Sequence, residues 1–227
     1  MSGRRSSVAR MSALATREPR PRTKPQELRR DELLASGERL FLAQGVAATS
    51  IDDVAAGADV AKGTFYLYFD SKEDMLAALR ERFAERHRAA IAARVASERA
   101  DDWRARLGAW VEGSVTFYLD QVALHDALFH AHDHHPRRRN SRSENRVVAA
   151  LAELLAEGME AGAWSIDDPA MASVLLFNAL HGAVDHAIAR GEQGSRARLV
   201  RAVQAHFLRV AEPNHSLSVP RGRRRSG

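Results

Sequence analysis

Between Gln26 and Ala211 apolar residues recur at intervals of three and four, and the alternation that marks a strand is missing. Ala and Leu dominate these segments, and Gly and Pro punctuate them. This periodicity excludes a sheet and predicts an all-α chain. The 227 residues suffice for a sizeable core in one or two domains. Cysteine is absent, so there is no disulfide framework and no thiolate metal site, and a reducing cytoplasm suits the chain. No segment resembles a nucleotide cradle, a zincin motif or a nucleophile elbow, so no enzyme is expected.

The first helix opens after Pro25 and stops at Gly45, with Leu33, Leu34, Gly37, Leu40 and Phe41 inward. Thr49, with Asp52 three residues on, is expected to cap a short helix. "DVAKGTFYLYF" follows as a second short helix after a tight connection at Gly57 to Val60. Ser71, with Asp74, caps a long one whose apolar line is Met75, Leu76, Leu79, Phe83 and Ile91. Farther on, "DDWRARLGAWVEGSVTFYLDQ", "VALHDALFHAH", "ENRVVAALAELLAEGMEAGAW", "DDPAMASVLLFNALHGAVDHAIARG" and "SRARLVRAVQAHFLRVAEP" each read as helix. Asp167 or Asp168 caps the fourth of these, with Pro169 at its first position. The most apolar stretch, "AMASVLLFNALHGAVDHAIA", contains two His and an Asp, which argues against a membrane span.

The net charge of +5 is unevenly placed. Residues 1–25 hold seven basic residues and one acid, and residues 212–227 hold four Arg and one Glu. Both ends are too polar to bury a core and are expected to be disordered; the first lacks the apolar run of a signal peptide. They either attract phosphates or only solubilise. The expected organisation is a basic arm (1–25), a helix-turn-helix unit (26–72), a helical bundle (73–211) and a basic tail (212–227).

A longer helix followed by two short ones across a tight turn makes the helix-turn-helix arrangement. At about 100° per residue, Phe65 and Phe69 fall together as anchors. Lys62, Gly63, Thr64, Tyr66 and Leu67 are left on the outer side. Gly63 removes a side chain where another surface must come close. Thr64 and Tyr66 offer hydroxyls to phosphate, Lys62 reaches phosphate or a guanine edge, and Leu67 touches a thymine methyl. Tyr68 is either half-buried or a further contact.

The run "TSIDDVAAGADVAKGTFYLYFDSKEDML", extended back over "LLASGERLFLAQGVAA", resembles the DNA-binding signature of the TetR/AcrR family of bacterial transcriptional regulators. The resemblance implies a homodimer on a palindromic operator of double-stranded DNA, with residues 61–69 in the major groove. It implies DNA contacts by Thr49, Lys62, Thr64, Tyr66 and Lys72; Ser50, beside Thr49, joins that set. Asp59 stands where the family usually has Gly, and Ala61 where it has Ser. Asp59 either weakens the turn or replaces that Ser as a cap. Residues 26–72 hold five basic and eight acidic residues, so affinity must come from a local face, helped by the arm.

The resemblance also implies dimerisation through the last two helices and a small-molecule pocket inside the bundle. The expected lining is Trp103, Leu107, Trp110, Ser114, Phe117 and Leu128, with Phe129, Leu151, Leu155, Phe177, Asn178 and His181. Repression, relieved by the effector, is the family default, and no cofactor is required. Asp126 with His130 and His181 with Asp185 are each four apart on a helix face. Together they would suit a divalent metal, and a metal-responsive regulator is one alternative. Separate carboxylate–imidazole pairs are the favoured reading. A sequence-tolerant architectural DNA-binding protein is the other alternative.

Overall fold

A computed structural model of the chain describes residues 25–129, 142–191 and 193–211. The arm, the tail and the His-rich segment 130–141 lie outside the described residues. Among the described residues the structure is helical with no strand. The order is α1 (Gln26–Ala48), α2 (Ile51–Gly57), α3 (Lys62–Phe65), α4 (Lys72–Ala96), α5 (Trp103–Asp120), α6 (Val122–Phe129), α7 (Arg142–Glu160), α8 (Pro169–Ala189) and α9 (Arg196–Ala211).

Several ends follow their sequence signals. Gly45 leaves helical geometry at φ 80°, ψ 160°, and the remaining turn of α1 runs on beyond that break. Ser71 accepts from the Asp74 N–H, and Asp168 from the Met171 N–H. The start of α2 differs from expectation by one residue. Ser50, not Thr49, is the cap: its Oγ accepts from the Asp53 N–H, and its own N–H donates to Asp53. Ser50 has the extended backbone a cap requires, while Thr49 turns inward and donates to the Gly45 carbonyl at 2.8 Å. The second short helix is also shorter than expected. It ends at Phe65, and residues 66–68 form a turn.

Two apolar clusters form. The first joins α1, α2, α3 and the front of α4 through Leu33, Phe41, Val54, Phe65, Phe69 and Leu79. It extends past the expected boundary at residue 72: Phe83 of α4 and Leu124 and Leu128 of α6 belong to it. The second joins α5, α7, α8 and α9 around Trp110, Val111, Leu151, Leu180 and Phe207, and takes Ile91 from the rear of α4. Helix α4, about 37 Å long at 25 residues, therefore belongs to both clusters.

Helix α8 is the one described helix with the length and apolarity of a membrane span. Its core face, Leu176, Phe177, Leu180 and Val184, packs within the bundle instead. At the end of α7 the packing is tight. The buried Trp164 donates its indole N–H to the Leu155 carbonyl at 2.8 Å, and its ring lies across Gly158. A Cβ at Gly158 would come within 2.1 Å of that ring. Gly158→Ala should therefore lower unfolding free energy by about 2 kcal/mol, as overpacked cores do. Urea denaturation of the variant checks this.

Candidate DNA interface and effector pocket

Helix α3 is only one turn, so its neighbours fix its position. Phe65 and Phe69 are buried with centroids 5.5 Å apart, and Arg30 lies over the Phe69 ring at 5.1 Å. These anchors push the next side chains outward. Tyr66 is 49 % and Leu67 74 % exposed. Lys62 and Gly63 are exposed, Thr64 is half-exposed, and a Cβ at Gly63 would meet nothing within 4 Å. The structure thus brings Lys62, Gly63, Thr64, Tyr66 and Leu67 to one surface. Tyr68 is half-buried and packs on the core.

Asp59 adopts φ 55° in the turn before α3, a left-handed position that Asp tolerates and Gly would accept more readily. It is not the cap of α3; Ala61 stands there, without a side-chain hydrogen bond. The Lys62 ammonium meets the Asp52 carboxylate at 2.8 Å, and that hydrogen bond with its charge attraction raises the Lys62 pKa. Asp53 is shifted the opposite way: hydrogen bonds from the Ser50 side chain and backbone lower its pKa.

Two expected contacts are engaged internally. Thr49 is buried, so its hydroxyl is withdrawn from any phosphate. Lys72 donates to the Val46 and Thr49 carbonyls at 2.8 and 2.9 Å. It ties the start of α4 to the corner where α1 breaks, which leaves one of three ammonium hydrogens for DNA.

The bundle holds a small, partly open cavity that, as the side chains stand, admits only water-sized groups. Helix α4 gives Phe83, Ala84 and His87; α5 gives Tyr118; α6 gives His125 and Phe129; α7 gives Val147; α8 gives Phe177 and His181. Of the expected lining, Phe129, Phe177 and His181 are there. Ser114 and Phe117 lie one layer behind, bonded to and stacked on His87. Leu107, Trp110, Leu151 and Leu155 instead fill the bundle core, and Leu128 fills the other cluster. Trp103 packs edge-on against Trp164 and under Arg106. Asn178 is exposed and donates to the Val174 carbonyl, away from the cavity. His87 had a signal in the sequence, because Leu79, Phe83, His87 and Ile91 step by four along one buried line.

The polar groups of the cavity form a network. Tyr118 donates to Asp185 at 3.0 Å and lies 3.1 Å from His125 Nδ1. His125 Nδ1 is also 3.6 Å from the Asp126 carboxylate. His181 Nδ1 lies 3.2 Å from the Phe177 carbonyl. Of the residues in the two expected metal half-sites, His130 lies outside the described residues, and Asp185 accepts from Tyr118. Among the described residues no group of three or more ligating side chains is placed to hold a metal.

The comparisons agree with this geometry. Residues 33–79 match the model described as "Bacterial regulatory proteins, tetR family", and residues 102–209 match "Tetracyclin repressor-like, C-terminal domain". The chain belongs to the TetR family of transcriptional regulators. The HTH-type transcriptional regulator EthR of Mycolicibacterium smegmatis is 28 % identical over 169 residues, covering 70 % of this chain and 76 % of that protein. A Rhodococcus protein of unknown function shares the fold at TM-score 0.66 and 24 % identity, over 80 % of this chain and 94 % of its own. The Bacillus subtilis regulator FadR, solved with stearoyl-CoA, shares it at TM-score 0.64 and 17 % identity, over 79 % and 98 %. TetR-family regulators bind operator DNA, usually as dimers, and typically respond to small molecules.

Burial, with the charges of His181 and His125, pushes the His87 pKa down to about 3. An unfolded His titrates near 6.5, so between those values the unfolded chain binds the extra proton. Stability from this group is complete above about 6.5 and is lost as pH falls toward 3. His87→Phe should flatten the stability–pH slope in that window by up to about 1.4 kcal/mol per pH unit. Denaturant titrations at several pH values check it.

Proposed function

We propose that this chain is a repressor that binds a palindromic operator as a homodimer and lets go when a small molecule enters the bundle. The carrying observation is the outer surface of α3 and its turn, where Phe65 and Phe69 are buried and Tyr66 and Leu67 stand out. Lys62, Gly63, Thr64, Tyr66 and Leu67 are its DNA contacts, with Ser50 and the third Lys72 hydrogen serving phosphates at the edge.

Dimerisation uses α8 and α9. Met171 and Leu175 are 54 % and 63 % exposed, and Val174 and, on α9, Val210 add to the apolar surface. Gly182, where a Cβ would meet nothing within 4 Å, lets a second α8 approach. A two-fold dimer matches the symmetry of paired half-sites.

The connection from pocket to head runs through α4 and α6. Phe83 and His87 line the cavity from α4, which starts at the cap after α3. Phe129 lines it from α6, while Leu124 and Leu128 of the same helix sit in the head's cluster. Arg80 donates to the Leu128 carbonyl at 2.8 Å and lies over Phe129 at 5.5 Å. Arg82 and Arg86 hold Glu38 of α1 at 2.5 and 3.1 Å. An effector larger than water must part these walls, and the head moves with α4 and α6. Release follows if the effector prefers the parted state.

Tyr66→Ala should abolish operator binding while helicity and thermal unfolding stay unchanged. Selection of genomic fragments at near-physiological salt supplies the operator, and footprinting compares the proteins. Motif-free recovery that disappears with added salt would instead assign binding to the basic arm and tail. Leu175→Glu should convert the dimer to monomer in analytical ultracentrifugation, since it buries a charge in the proposed interface.

A further inference from the structure

The two acids in the first turn of α2 do different things. Asp53 closes the cap, accepting from the Ser50 N–H and Oγ. Asp52 stands outside that box and meets Lys62 across the turn, with 2.8 Å between Oδ2 and Nζ. Both side chains are open to solvent, the lysine at 53 % and the aspartate at 63 % exposure. Through Lys62, Asp52 joins the surface that carries Tyr66 and Leu67. Small residues flank the pair. Gly63 follows Lys62, and a Cβ there would meet nothing within 4 Å; the exposed Ala56 lies one turn after Asp52.

An ammonium beside a carboxylate is poorly suited to phosphate. Phosphate oxygens only accept, and their charge repels the carboxylate next to the lysine. A base edge in the major groove is uncharged and offers both donors and acceptors. In a G·C pair guanine O6 accepts and cytosine N4 donates. These two atoms hydrogen-bond to each other, so they lie about 2.9 Å apart. That spacing matches the 2.8 Å between Lys62 Nζ and Asp52 Oδ2. The ion pair can therefore open onto the base pair with little movement of either side chain. Its ammonium passes to O6, and its carboxylate accepts the free N4 hydrogen.

An A·T pair also sets a donor beside an acceptor, adenine N6 beside thymine O4. The difference lies in the neighbouring atom. Guanine N7 is a second acceptor next to O6, and lysine has hydrogens for both. Beside thymine O4 stands the C5 methyl, and the N6 donor separates O4 from adenine N7. An ammonium that leaves Asp52 thus gains two acceptors on G·C and one on A·T. Magnitudes favour the exchange: an exposed ion pair contributes at most about fivefold to an equilibrium, whereas good base contacts discriminate by about five- to 150-fold.

We propose that Asp52 and Lys62 together read one G·C base pair in each half-site, Lys62 on guanine O6 and N7 and Asp52 on cytosine N4. Asp52 is then a specificity-determining residue. This rests on the reading of the α3 surface as the DNA interface.

Selection of duplexes from a randomised library by the full chain and by its Asp52→Ala, Lys62→Met and Tyr66→Ala variants tests it. The unaltered chain should select a motif with a G·C pair at one position of each half-site. Lys62→Met and Asp52→Ala should each lower the preference for that pair over A·T by at least about fivefold and leave the other positions as they were. On the selected duplex, 7-deazaguanine removes the N7 acceptor and N4-methylcytosine removes the offered hydrogen. Each should weaken the unaltered chain by at least about fivefold; 7-deazaguanine should change Lys62→Met, and N4-methylcytosine Asp52→Ala, by less than about twofold. If Asp52→Ala leaves every position unchanged, shifts affinity equally across sequences, or keeps full sensitivity to N4-methylcytosine, the pair is a surface ion pair only and the assignment is overturned. A motif that Tyr66→Ala loses and Asp52→Ala keeps leaves the interface standing and sinks only the role of Asp52. If Tyr66→Ala and Lys62→Met both select the motif of the unaltered chain, or no motif is recovered, the α3 surface is not the reader and both readings fall.

Discussion

Helix α4 is buried at its front against the three helices of the head and at its rear against the bundle. Its residues Met75, Leu79, Phe83, His87 and Ile91 form one line at a spacing of four, which drifts only slowly around a helix. The first three belong to the head's cluster, and Ile91 belongs to the bundle's. His87, between them, lines the cavity. A stiff rod with no break in its hydrogen bonding cannot relax locally when its middle is displaced. Any side chain forced aside at Phe83 or His87 is felt at both ends. The head has no independent core to fall back on, because Phe83, Leu124 and Leu128 complete it from outside its own three helices.

Much of this architecture was legible from residue spacing. Phe65 and Phe69 on one side and Tyr66 and Leu67 on the other followed from four positions and the helical angle. The cap at Ser71 and the break at Gly45 followed from local chemistry. The frame of α2 was misread because Thr49 and Ser50 are both capping residues, each with an Asp three positions on. What decides between them is tertiary: Thr49 is drawn inward to the Gly45 carbonyl, and Lys72 closes over its backbone.

The cavity was less legible. A helical wheel gives the buried face of each helix but not which buried residues meet each other and which surround a space. Leu107, Trp110 and Leu151 were expected at the pocket that the resemblance implies; they are large and inward, and they fill the core instead. His87 lies on the buried line of α4, but neither it nor His125 was among the expected pocket residues. Each is buried against a partner on another helix: Ser114, 27 residues on, for His87, and Tyr118, seven residues back, for His125.

The ion pair between Lys62 and Asp52 gives the DNA-reading surface a particular economy. The cation best placed to enter a groove already has an anion beside it, and the first turn of α2 adds Asp53. Non-specific attachment to DNA depends on releasing counterions, and a head with so little uncompensated positive charge releases few. On random duplex such a head has little to hold it, and each encounter is brief. On the proposed reading, the lysine leaves Asp52 only where the groove offers a better partner. In the proposed complex, the same carboxylate that weakens the grip on random duplex thereby favours release from it and a shorter search for the operator.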